Sequence, residues 1–131
     1  MADKAMPTGP GTFCWFELMT NDVEKARTFY TKLFGWTTEE MPMPNGNYTI
    51  FQRGGDGVGG MMKTPPEAKG APPSWTCYVQ VADVEASHRK AVDLGAKSCM
   101  PPTPIPNIGR FAVITDPTGA AIALFQPQTQ T

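Results

Sequence analysis

The sequence is poor in the residues that build metal and redox chemistry. Its 131 residues include three cysteines and one histidine. Cys14, Cys77 and Cys99 form an odd set with no CxxC or other metal-type spacing, so they read as free thiols. Cys14 and Cys77 fall on predicted strands, where a small buried hydrophobe is the simpler reading than a reactive thiol. Charge is also sparse. Only 18% of residues are charged, the net charge is −1, and the 11 Lys and Arg are scattered without a basic run. That argues against nucleic acid as a partner. No apolar run approaches the length that crosses a membrane. Met1-Ala2-Asp3-Lys4 lacks the charged-then-apolar order of a signal peptide. The expectation is a soluble cytoplasmic protein with no membrane partner.

Glycine and proline, in contrast, are plentiful, at 13 and 14. They favour many short elements joined by tight turns over a helical bundle. Apolar residues make up 40%, enough for a modest core, and the length suits one domain spanning 1–131.

The chain contains itself twice. "WFELMTNDVEKARTFYTKLFGW" begins at Trp15 and "WTCYVQVADVEASHRKAVDLGAK" at Trp75. Each is a strand-like run, then Asp-Val-Glu, then a helical stretch ending in Leu-Phe-Gly or Leu-Gly. Downstream, Pro-x-Pro-Asn stands at Pro42, Pro44 and Asn45 and again at Pro104, Pro106 and Asn107. The separations stay near about 60 residues throughout, the signature of a duplicated unit.

Each half reads as strand, helix, then three strands. In the first, a strand over 12–19 leads to Asn21-Asp22, a helix cap. The helix runs to Phe34 and stops at Gly35. Its inward stripe is expected to be Val23, Ala26, Phe29, Tyr30 and Leu33. Strands follow near 36–41, 47–53 and 57–62, with turns at Asn45-Gly46 and Gly54 to Gly57. In the second, a strand over 74–81 precedes Asp83, which caps a helix to Leu94, ended by Gly95. Strands follow near 97–102, 109–115 and 120–126. Asp116-Pro117-Thr118-Gly119 joins the last two as a turn in which proline fixes φ and glycine permits a positive one. The modules then run about 11–63 and 74–127. Between them "TPPEAKGAPP" (64–73) reads as a stiff polar linker, and the tail past Pro127 as frayed.

On "DVEKARTFYTKLFGW" (22–36), "DVEASHRKAVDLGAK" (83–97) and the closing "DPTGAAIALFQP" (116–127), the sequence resembles the vicinal oxygen chelate superfamily. This is the group of glyoxalase I, the bleomycin-resistance proteins and the extradiol dioxygenases, and the chain is most similar to its single-domain glyoxalase-like members. The resemblance implies an α+β fold. Two βαβββ modules would form a curled mixed sheet around a concave cavity, with the helices outside. A ferredoxin-like α+β domain is the alternative; the extra third strand in each half and the Asp-Pro-x-Gly hairpin argue against it.

The resemblance also implies where metal ligands would stand. Metal-using members place them on the first and fourth strand of each half. Those positions correspond here to Trp15, Gly60, Thr76 and Ala123. An indole, a glycine, a hydroxyl and a methyl do not give a divalent ion its three or four donors at about 2–2.6 Å. His88, mid-helix, reads as a half-buried structural histidine. No metal and no cofactor are therefore expected, unless ligands the family does not normally use are recruited.

Strand parity then sets the cavity wall. Trp15 at a ligand position puts Phe13 and Glu17 on the same face, with Cys14, Phe16 and Leu18 toward the helix. Thr76 brings Ser74, Tyr78 and Gln80 to the cavity. Val58, Gly60 and Met62 are expected inward on their strand, and Ala121, Ala123 and Phe125 on the last. Tyr48 or Phe51 and Phe111 are further candidates. The expected ligand-binding residues are Trp15, Glu17, Met62, Thr76, Tyr78, Gln80 and Phe125, an aromatic wall with a few polar groups. Glu17 is the best catalytic candidate, and two readings of it stand. It pairs with Arg53 or Arg110 at the cavity edge, or it is a desolvated carboxylate of raised pKa that acts as a base or holds a cationic guest. The glycine-rich "QRGGDGVGGMMK" lacks the context of a phosphate loop and reads as a hairpin turn entering a strand.

Three functions follow from this. One is a metal-free protein that binds a small organic molecule. Another is a metal-dependent lyase, isomerase or dioxygenase with unusual ligands. The third is an interaction module with a collapsed cavity. The resemblance implies a homodimer, with the linker at 64–73 deciding whether modules pair within or between chains.

Overall fold

Each helix begins where an aspartate side chain can take up a free backbone amide. In the computed structural model, which describes residues 7–43, 46–68 and 70–128, Asp22 accepts from the Lys25 amide at 3.0 Å and Asp83 from the Ala86 amide at 3.1 Å. These caps satisfy N–H groups that have no partner inside the helix. Helix α1 (Val23–Phe34) ends at Gly35, whose φ of 72° is the left-handed conformation that glycine adopts without strain. Helix α2 (Val84–Asp93) ends at Leu94, with Gly95 beyond it at φ 107°.

The strands are β1 (Phe13–Thr20), β2 (Thr37–Met43), β3 (Gly46–Arg53), β4 (Asp56–Lys63), β5 (Ser74–Gln80), β6 (Lys97–Ile105), β7 (Gly109–Thr115) and β8 (Ala121–Pro127). The order is βαβββ twice, so the chain is α+β. Strand β6 runs three residues further than the spacing predicts; its register against β7 shifts twice, between Ser98 and Thr103. The turn that follows has Asn107 at φ 66° and an Ile108 amide bonded to the Ile105 carbonyl at 3.0 Å. The first copy of that motif, at Pro44 and Asn45, lies outside the described residues, as do residues 1–6 and 129–131. The linker contains a short 3-10 turn, Pro66–Ala68.

The fold divides into two compact units. Among the described residues, 15–76 form one; 77–128, with 7–14, form the other. In the first unit the strand order is β2-β3-β4-β1, with β1 parallel to β4 and Glu17 opposite Gly60. Leu18, Phe51 and Met61 make its buried core, and Val23, Ala26, Tyr30, Trp36 and Val58 pack on it. Full burial of each large apolar side chain stabilises by about 1.5–3 kcal/mol. Phe29 and Leu33 are exposed, contrary to the expected stripe. The arc that meets the sheet is Val23, Ala26 and Tyr30, and the other two lie on its flank.

A polar clamp ties α1 to this sheet. Thr49, 1% exposed, donates from Oγ1 to the Glu40 carboxylate at 3.1 Å. Arg27 reaches Glu40 at 3.1 Å and also pairs with Glu24. In the second unit the order is β5-β8-β7-β6, with β5 parallel to β8 and Tyr78 opposite Ala123. Val84, Ala112 and Leu124 form its core, joined by Val81.

Candidate functional site

Parity on β1 puts Leu18 in the core under α1, so Trp15 and Glu17 belong to the opposite face of the sheet. The structure brings these two together through a third residue. Trp15 Nε1 donates to the Tyr48 hydroxyl at 2.8 Å, and that hydroxyl donates to Glu17 Oε1 at 2.9 Å. One phenol oxygen thus holds both an indole and a carboxylate. Glu17 is 7% exposed, so this is a buried carboxylate held in a hydrogen-bond chain. Burial, then the Glu17 charge, push the Tyr48 phenol far above the usual tyrosine range. Tyr48 therefore keeps its proton and remains a donor.

Glycines make room for this chain. A Cβ on Gly60 would lie 1.8 Å from the Tyr48 hydroxyl oxygen, and one on Gly57 would lie 3.3 Å from the Trp15 ring. The space beside Gly60 is thus filled by Tyr48.

On this face the structure decides one open alternative and corrects one expectation. Of the candidates Tyr48 and Phe51, Tyr48 joins Glu17 and Phe51 goes to the core. Val58 also turns to the core rather than inward. Between β3 and β4 the partner of Phe51 is Gly59 and that of Gln52 is Gly57, so Val58 is the extra residue of a β-bulge and its parity is reversed. Arg110, one of two proposed partners for Glu17, pairs with Glu85 of α2. Met62, half-buried, stands opposite Met19, and Thr76 is half-buried on β5.

In the second unit the expected residues also share one face. Tyr78 and Gln80 stand opposite Ala123 and Phe125, and Phe125 opposite Phe111 on β7. The Tyr78 and Phe111 rings are 6.5 Å apart. Leu124 and Ala112, at the alternate positions, form the core, which fixes the parity. Phe13 and Ser74, by contrast, are exposed. His88 is half-buried and lies 2.8 Å from the Ser98 hydroxyl, an anchor between α2 and β6, as a structural histidine should be.

The residues do not fit the divalent ion that the family resemblance implies. Trp15 offers an N–H and no lone pair, Gly60 offers nothing, and the Tyr48 proton points at Glu17. Among the described residues no three His, Cys, Asp or Glu side chains gather as a metal site. Also among the described residues, no helix is long and apolar enough to cross a membrane.

The comparisons with known proteins agree with the duplicated βαβββ order. The chain is 42% identical over 119 residues to "Putative glyoxylase CFP32" of Mycobacterium tuberculosis, covering 88% of this chain and 46% of the relative. It is 34% identical over 130 residues to "Anthracycline biosynthesis protein DnrV" of Streptomyces peucetius, covering 89% and 47%. The chain thus spans about half the length of the curated relatives it matches. Among solved structures, methylmalonyl-CoA epimerase from Mycobacterium tuberculosis superposes with a TM-score of 0.67 at 16% identity, covering 98% of this chain and 97% of that one. An extradiol ring-cleaving dioxygenase from B. fuscum gives 0.61 at 17% identity, covering 97% of this chain and 36% of that one. These structural likenesses speak for the fold. Residues 12–124 match the Glyoxalase/Bleomycin resistance protein/Dioxygenase superfamily, and the chain belongs to that family.

Proposed function

We propose that this chain binds a small organic molecule at the sheet face carrying Trp15, Tyr48 and Glu17, without the divalent metal used elsewhere in the family. One observation carries the reading. The Tyr48 hydroxyl occupies the space beside Gly60, where a metal ligand would stand, and joins Trp15 to Glu17 instead. An indole face beside a fixed carboxylate is a common composition for an organic-ligand site. The carboxylate favours a guest that brings a cationic or hydrogen-bond-donating group. A relative named for anthracycline biosynthesis lends support, since it connects the fold with the making of a small organic molecule.

Elemental analysis tests the metal-free half. After loading with Ni, Zn, Mn and Fe(II) and dialysis, the protein should retain far less than one metal per chain. Retention near one per chain would overturn this reading in favour of a metal enzyme with unusual ligands. The ligand half is read by tryptophan fluorescence against a panel of aromatic amines and their uncharged analogues. Glu17→Gln should weaken binding of the amines about tenfold, ~1.4 kcal/mol, and spare the uncharged analogues. Equal affinity of both proteins for the amines would remove Glu17 from the site.

A further inference from the structure

Parity divides the first unit's sheet into two faces. Leu18, Phe51 and Met61 turn to the core, so Met19, Tyr48 and Met62 share the face of Trp15 and Glu17. Met41 joins them, because it stands directly opposite Tyr48. The strand registers set these four residues in one row across the sheet. Met41 pairs with Tyr48 between β2 and β3. The pairing of Thr49 with Met61 brings Tyr48 across from Met62 one step on. Met62 pairs with Met19 on β1. All four side chains are half-buried, so the row is both apolar and reachable. It crosses three strand intervals, about 14 Å. Glu17 stands two residues from Met19 on the same face and accepts from the Tyr48 hydroxyl.

The duplication supplies an internal control. Glu17 opposite Gly60 corresponds to Tyr78 opposite Ala123, and Met19 opposite Met62 to Gln80 opposite Phe125. Phe125 pairs in turn with Phe111, and Phe111 with Thr103. The second unit's row is therefore Thr103, Phe111, Phe125 and Gln80, built on the same strand order without a thioether. The duplicated sheet does not call for methionine at these positions. The three methionines beside Tyr48 serve something that the sheet itself does not need.

Methionine brings an unbranched, adaptable side chain and a polarisable sulfur that packs well against aromatic rings. The surface it lines here is shallow, because Tyr48 fills the space beside Gly60. A shallow, soft and extended surface covers more of a flat guest than of a bulky one. We propose that the site takes a planar, fused-ring organic cation, with its rings laid along Met41, Tyr48, Met62 and Met19 and its charged group toward Glu17. This rests on the organic-ligand reading above and adds the shape of the guest. The methionine row selects for planarity, and Glu17 selects for charge. The methionines are specificity-determining residues; none of them moves a proton.

Isothermal titration calorimetry of the full chain with two cations of unlike shape tests this. Proflavine is planar and tricyclic, amantadine is a saturated cage, and each carries a single positive charge at neutral pH. Proflavine should bind about tenfold more tightly than amantadine. Met62→Val and Met41→Val, each shorter and stiffer, should each weaken proflavine about fivefold and leave amantadine unchanged. Valine suits a strand, so the far-UV circular dichroism spectrum should match wild type, and if one variant misfolds the other carries the test. Equal affinity for the two cations overturns the proposal. So does an absence of proflavine binding, or proflavine binding that the valine variants leave intact. Glu17→Gln separates this outcome from that of the reading beneath it. Proflavine affinity that falls in the valine variants but not in Glu17→Gln keeps the row and removes the carboxylate. Affinity for both cations that falls in Glu17→Gln but not in the valine variants keeps the carboxylate and overturns the row.

Discussion

A methyl group on Gly60 would sit 1.8 Å from the Tyr48 hydroxyl oxygen and 2.3 Å from the ring carbon that bears it. The ring would have to leave, taking the hydrogen bonds of Trp15 and Glu17 with it. Gly60→Ala should therefore destabilise by about 1–3 kcal/mol, as overpacking of a filled site does. In a urea-unfolding cycle with Tyr48→Ala the two losses should not add, because Tyr48→Ala removes what the methyl strikes. Additive losses would mean that Tyr48 does not occupy that space in solution. Tyr48 also carries a pH signature. Its phenol is raised from an ordinary value of 10.0 by burial first and by the Glu17 charge second. The folded chain keeps a proton that the unfolded chain loses above about pH 10. The contribution is whole below that pH and drains away as pH rises past it. Tyr48→Phe should be less stable than wild type at neutral pH and show a shallower alkaline decline between about pH 9 and about pH 11. Parallel declines in urea unfolding would show that the phenol titrates normally.

At the scale of elements, the two helix caps offer a matched pair. Asp22→Ala and Asp83→Ala each remove one side-chain acceptor and should each lower stability by about 1 kcal/mol. A near-zero effect for either would show that water replaces the cap. These features were legible in the sequence because they are local: Asp-Val-Glu, the glycine after each helix and the Asp-Pro-x-Gly turn determine structure within a few residues. The turn is as expected, with Asp116 accepting from the Thr118 and Ala120 amides at 2.7 and 3.1 Å. Parity carried Trp15 and Glu17 to one face for the same reason. Tyr48 stayed one candidate among several because its side depends on the register of β3 against β4, which a bulge interrupts. The same bulge hid the side of Val58. A glycine-rich strand gives little hydrophobic pattern with which to locate a bulge, and only the spatial demand of Tyr48 on Gly60 shows where the strand turns over. The flank of α1 was misread for another reason. Phe29 and Leu33 have helical spacing from the core residues, but spacing alone does not say how wide an arc the sheet covers.

At the scale of the molecule, the sequence announces the duplicated architecture, and the two copies have diverged in their side chains. One unit carries the Trp15, Tyr48 and Glu17 chain; the other has Tyr78 and Phe111 on that face, with a core of Val84, Ala112 and Leu124. The Trp15, Tyr48 and Glu17 chain lies within residues 15–76, whereas the Asp83 cap of α2 belongs to the other unit. Losses from Trp15→Phe and Asp83→Ala should therefore add in urea unfolding, as they do for sites with no shared partner. Non-additive losses would show that the two copies are energetically coupled, and the chain would then have to be treated as one network rather than two modules.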